Sequence, residues 1–159
     1  MPLIVALGRK KNQNQILLEQ YMTDDEYEIE LEKIRSENRL LLLVFEASLS
    51  TSGLKDSTIG NHLSNVDFYI NDFLLYDDLT PAKDGIPPMS SFFNWFFPRK
   101  AMWSSPAATK SNAASFKKFY KFLADKKIID IVDYELMLLT IKTEMPDWQS
   151  HYNEEVELW

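Results

Sequence analysis

Lys110, Lys117 and Lys121 recur at +7 and +4 in a stretch that reads SSPAATKSNAASFKKFYKFL over residues 104–123. At about 100° per residue in a helix, these three ammonium groups fall within about 40° of one another, and Lys118 flanks them. Such a row is chemistry for anions. Lysines neutralise duplex phosphates and release condensed counterions, which makes affinity fall steeply with salt. Arg99 and Lys100 add a basic turn just before the stretch. Residues 99–127 carry eight basic residues against one acid, Asp125, a local charge of +7. The whole chain carries −7, so the remainder carries −14. The net charge alone disfavours a nucleic-acid binder; the distribution favours one. The competing reading is a solvated lysine face that serves solubility.

The element that must position this row is a helix. Ser105 followed by Pro106 is an N-cap with proline in the first turn, where its missing N–H costs nothing. Ala113, Phe116, Tyr120 and Leu123 then recur at +3, +4 and +3 and give an apolar face distinct from the lysine face. Lys126 and Lys127 close the helix at the negative end of its dipole.

Other chemistry is sparse. The chain has 159 residues, no cysteine and two histidines, which excludes thiolate zinc sites and disulfides and argues against a multi-histidine metal site. Phosphate-cradling GxxxxGK[ST] and GxGxxG motifs and a G-x-S-x-G elbow are all missing. His62 and His151 read as ordinary surface or boundary residues, and Asp77 with Asp78 as solvated turn residues. No catalytic residue, metal site or cofactor is expected, and the protein is not expected to be an enzyme.

Residues 1–22 read as a partly ordered N-terminal tail, or as an apolar segment that docks on the body or on a partner. Residues 3–7 are aliphatic and Arg9, Lys10 and Lys11 are basic, the reverse of a signal peptide's order. That run and residues 40–45 are too short to span a bilayer. A soluble, cytoplasmic protein without membrane contact is the expectation. Thr23-x-x-Glu26 is a capping box, and Asp24, Asp25 and Glu26 suit the positive end of a helix dipole. The apolar stripe that follows is interrupted at Asn38, so one long helix and two short ones broken near residues 36–38 are both open. Gly53 sits in a turn, and Asp56 or Ser57 caps a helix over about residues 57–74. Residues 76–88, with three prolines, form a loop. SFFNWFF is a short helix ended by Pro98; its aromatics are core, with part left over for a partner surface. A last helix over residues 133–143 is stopped by Pro146, and residues 146–159 form an acidic, aromatic C-terminal tail.

A helix ending in Phe45-x-x-x-Leu49, then Ser52-Gly53-Leu54, then Ser57-Thr58-Ile59 opening a helix, resembles the N-terminal core-binding domain of tyrosine recombinases (phage integrases). Ser105-Pro106, Thr109 and the block from Phe116 to Leu123, followed by Lys126-Lys127, are similar to the last long helix of that domain. The resemblance covers about residues 24–135. It implies a SAM-like helical bundle that grips duplex DNA through phosphate contacts and groove-facing helices. The positions it marks are Thr58, Lys110, Lys117, Lys118 and Lys121. The recombinase catalytic domain has no counterpart here, and the second helix bears no basic residue on its polar face.

The expected fold is therefore all-α: a compact orthogonal bundle of about five helices, SAM-like, with residues 23–145 as its body. The expected function is a free-standing, non-catalytic DNA-binding module that contacts duplex phosphates through Thr58, Arg99, Lys100, Lys110, Lys117, Lys118 and Lys121, with weak sequence discrimination. The alternative is a protein-interaction or self-association domain, with a protein partner or a homo-oligomer in place of DNA.

Overall fold

The computed structural model describes residues 12–154, and helix follows helix with no strand among them. The all-α expectation is met. Helix α1 (Gln13–Tyr21) opens on a capping box between Asn12 and Gln15. The expected box at Thr23 and Glu26 opens α2 (Asp24–Thr51), one unbroken helix of 28 residues. Asn38 does not break it. Its side chain is buried, and Nδ2 donates to Asn71 Oδ1 at 2.8 Å and to the Ile70 carbonyl at 3.4 Å. A polar interruption in an apolar stripe is thus a buried hydrogen-bonding position.

Gly53, at φ 83°, turns the chain into α3 (Asp56–Asp67). The N-cap residue is Lys55, which makes no side-chain cap bond; Asp56 stands inside the first turn and serves the dipole. The helix widens into a π turn at Phe68–Phe73. The proline loop follows, with a 3₁₀ turn at Ala82–Asp84. Two core tyrosines hold it. Tyr69 donates its hydroxyl to the Gly85 carbonyl at 2.5 Å, and Tyr120 donates to the Ala82 carbonyl at 2.8 Å. A side chain at position 85 would fall on the Tyr120 hydroxyl, so glycine is required there for space.

Helix α4 (Met89–Ser91), a second π turn (Phe92–Phe96) and α5 (Phe97–Lys100) form one helical run. Pro98 does not end it, contrary to expectation. It lies in the first turn of α5, where an absent N–H is tolerated. Phe92, Phe93, Phe96 and Phe97 are all buried, which meets the expectation that most of this aromatic run is core, and Trp95 is half-buried.

Helix α6 (Pro106–Asp125) has the expected cap: Ser105 Oγ accepts from the Ala108 N–H at 2.9 Å. Its inward residues Phe116, Phe119, Tyr120 and Leu123 are fully buried. It ends in a Schellman arrangement, with Ile128 N–H on the Leu123 carbonyl and Lys127 N–H on that of Ala124. Lys127 takes φ 59° there, a left-handed position that favours glycine.

Helix α7 (Ile131–Glu154) corrects the C-terminal boundary: it runs through Pro146, so residues 146–154 are helix and not tail. Pro146 costs a backbone bond, and packing outweighs that loss. Trp148 is fully buried and stacks on Phe93 with centroids 4.3 Å apart. Gln149 Nε2 donates to the Pro106 carbonyl at 3.1 Å, and Tyr152 Oη lies 3.3 Å from Thr109 Oγ1, whose proton goes to the Ser105 carbonyl at 2.8 Å. The aliphatic and basic N-terminal residues and the last acidic ones lie outside the described residues. No described helix is long and apolar enough to cross a membrane.

Two stability outcomes follow from these contacts. Trp148→Ala should lower unfolding free energy by about 3–5 kcal/mol in urea titration, as for other buried aromatic deletions. Trp148→Phe should cost less, since it also removes a buried Nε1–H that has no partner. Lys127→Gly should add about 1 kcal/mol by relieving the left-handed backbone.

Candidate nucleic-acid interface

Helix α6 is covered on two flanks, and its lysines occupy the arc between. On one flank lies α7, tied through Thr109 and Gln149 as above. On the other lies α3, joined by a polar seam. There Ser115 Oγ donates to the Ser111 carbonyl at 3.2 Å. It accepts from Asn65 Nδ2 at 3.0 Å and lies 2.8 Å from His62 Nδ1. Asn65 also donates to Ser111 Oγ at 3.2 Å.

Between these flanks Lys110, Ala114, Lys117, Lys118 and Lys121 are all exposed. Lys110 and Lys121 are 11 residues apart, about 16 Å along the axis. Lys117, Lys118 and Lys121 line one shallow groove of about 330 Å³ with Ser48 and Ser52 from the end of α2. The helix face therefore offers ammonium groups beside hydroxyls, a combination suited to phosphate oxygens. Asp125 is the acid in this arc. It pairs with Lys121 at 2.6 Å, and its hydrogen bond is the main cause that raises the Lys121 pKa. Exposed pairs of this kind contribute little, so Lys121 can exchange Asp125 for a phosphate at small cost.

The expected site residues do not all converge. Lys117, Lys118 and Lys121 meet in the groove, and Lys110 continues their row. Thr58 is half-buried in the first turn of α3, one turn before His62. Arg99 and Lys100 belong to a separate aromatic cluster. Lys100 Nζ lies 5.3 Å from the Tyr76 ring centroid and 5.9 Å from that of Trp95. Arg99 Nη1 donates to the Trp95 carbonyl at 3.4 Å.

Sequence reading undervalued His62. It is buried in the α3–α6 seam, 9% exposed, where a surface or boundary residue was expected. The signal was its place three residues after Ile59 and four before Val66, on the core stripe itself. Burial lowers its pKa, and the Lys118 charge lowers it further. His151 bonds to Asn94 Oδ1 at 2.9 Å on the far flank of α7. Among the described residues, no group of three or more His, Cys, Asp or Glu side chains could hold a metal ion.

No family model, no curated protein and no solved structure matches the chain.

The depressed His62 pKa sets a pH dependence with a definite sign. Above the ordinary histidine value of about 6.5 both folded and unfolded forms are neutral, and the group contributes nothing. As pH falls below that value the unfolded chain takes up the proton first, and stability drops until the folded pKa is reached. Thermal midpoints measured from pH 7.5 to 5 should fall more steeply for the wild type than for His62→Gln.

Proposed function

We propose that the protein is a non-catalytic DNA-binding module that contacts duplex phosphates through the exposed face of α6. The observation that carries this reading is the placement of Lys110, Lys117, Lys118 and Lys121 on one uncovered arc between α3 and α7. All the core-forming side chains of the helix lie on its other side, so the arc can meet a rigid cylinder without disturbing the fold. The hydroxyls of Ser48 and Ser52 stand at its edge as neutral phosphate contacts. The resemblance to recombinase core-binding domains supports the same helix in the same role. Few groups here have the bidentate geometry for reading base edges, so binding is weakly sequence-specific. Arg99 and Lys100 form a second, outlying contact, with Lys100 held by two aromatic rings.

A protein-interaction or self-association domain is the second reading. It draws on exposed apolar residues: Leu40, Leu43 and Val44 of α2, and Leu136 and Leu139 of α7. Solvent-exposed leucines at helical spacing favour a covered state. Light scattering after size exclusion, over a range of loading concentrations, separates the readings: a concentration-independent monomer mass argues against self-association.

The DNA reading predicts a salt slope. With four phosphate contacts, the logarithm of the duplex association constant should fall against the logarithm of salt with a slope of about −3.6. The Lys110→Glu/Lys117→Glu/Lys121→Glu protein should lose nearly all affinity while keeping its helical circular dichroism. Equal binding by both proteins, or none by the wild type at low salt, contradicts the proposal.

A further inference from the structure

A row of aromatic rings runs from the Lys100 site to the N-terminal end of α6. Tyr76 packs on Phe96 with centroids 5.4 Å apart, Phe96 on Phe68 at 5.8 Å, and Phe68 on Trp103 at 5.1 Å. The inner rings are fixed by packing: Phe96 is buried and Phe68 half-buried. The outer rings stay open to solvent. Tyr76 is 46% and Trp103 57% exposed, and Met102 beside Trp103 is fully exposed. Arg99 and Lys100 are exposed on the same cluster, held there by Trp95 and Tyr76 as described above. The two acids that follow Tyr76, Asp77 and Asp78, are not free carboxylates.

This cluster begins where the lysine row ends. Asn65 of α3 bonds to Ser111, the neighbour of Lys110. Phe68 lies three residues further on, about 5 Å along the helix axis, and carries Trp103. Exposed hydroxyls of Ser64 and Ser111 stand along the seam between.

We propose that this face takes unpaired nucleotides of DNA, with bases stacked on Trp103 and Tyr76 and phosphates on Arg99 and Lys100. The inference rests on the DNA reading of α6 and extends it to a duplex that carries a single-stranded end. Three observations select this occupant. The charged groups on the cluster are a guanidinium and an ammonium, which match a phosphodiester backbone. The face continues the lysine row, so one strand can pass from one to the other. The exposed rings are of no use to an intact duplex, whose bases are already stacked on one another; an unpaired base offers a free π-face to an indole or phenol ring. Stacking of this kind is tolerant of sequence, in keeping with a site that lacks bidentate readers of base edges.

The test is an anisotropy titration at low salt with three labelled DNAs. These are a blunt duplex, the same duplex with a single-stranded tail of about six nucleotides, and the same with a tail of abasic sites, the tails placed on the 3′ and the 5′ end in separate probes. In at least one polarity the base-bearing tail should tighten binding about tenfold or more over the blunt duplex, and the abasic tail should recover little of that gain. Trp103→Ala/Tyr76→Ala should bring the tailed duplex down to the blunt affinity, with blunt binding and helical circular dichroism unchanged. The abasic comparison uses the unaltered protein, so it decides the question whatever the double substitution does to folding. Blunt binding with no gain from either tail overturns this inference and leaves the duplex reading standing. Equal affinity for abasic and base-bearing tails, or a gain that survives the double substitution, also overturns it. No binding of any probe overturns both readings. A dimer mass in light scattering that disappears in the Trp103→Ala/Tyr76→Ala protein assigns the face to a second copy and overturns the proposal.

Discussion

Phe116, Phe119, Tyr120 and Leu123 are withdrawn from water together on one side of α6, and the rest of the chain is arranged around that burial. Tyr69 and Phe92 pack on Phe116 at 4.4 and 5.5 Å between centroids, and Phe45 from α2 packs on Phe119 at 5.3 Å. Tyr120 contributes a polar tip as well as a ring. Its hydroxyl holds the Ala82 carbonyl, and burial with the nearby Asp84 charge pushes its pKa far up, so it remains a neutral donor. The Ala82 carbonyl also accepts from the Gly85 N–H at 3.1 Å, so the buried phenol adds a second bond that ties the proline loop to α6.

The same constraint places the charge. A helix that gives one side to the core, one flank to α3 and the other to α7 has a single arc left for its lysines. This follows from packing and would hold whether or not the arc binds anything. The row is distinguished by its surroundings: hydroxyls from α2, uncharged residues along the α3 seam, and one acid already paired with Lys121. In a chain of net charge −7 this concentrates positive potential on one side of the molecule.

Much of this was legible in the sequence because it is local. The caps at Thr23 and Ser105, the stripes of α3 and α6, and the turn at Gly53 are set by residues within a few positions of one another. Three features were not legible, each because a distant contact overrides a local rule. Pro146 reads as a stop until Trp148 is seen stacked on Phe93, 55 positions earlier in sequence. Asn38 leaves a continuous and a broken helix both open until the π turn supplies Ile70 and Asn71 as partners. Pro98 reads as an end until the second π turn delivers the chain into a new first turn. Of the candidate site, the lysine row could be read from spacing alone. The separation of Arg99 and Lys100 from it could not, because their place depends on Tyr76 and Trp95.

The most direct measurement is a lysine footprint. Reductive methylation of the protein, with and without a saturating short duplex at low salt, is read residue by residue by mass spectrometry. The account predicts strong protection of Lys110, Lys117, Lys118 and Lys121, with Lys33 of α2 and Lys142 of α7 modified at the same rate in both samples. Equal labelling of the α6 row with and without DNA, or protection spread evenly over all lysines, would contradict it.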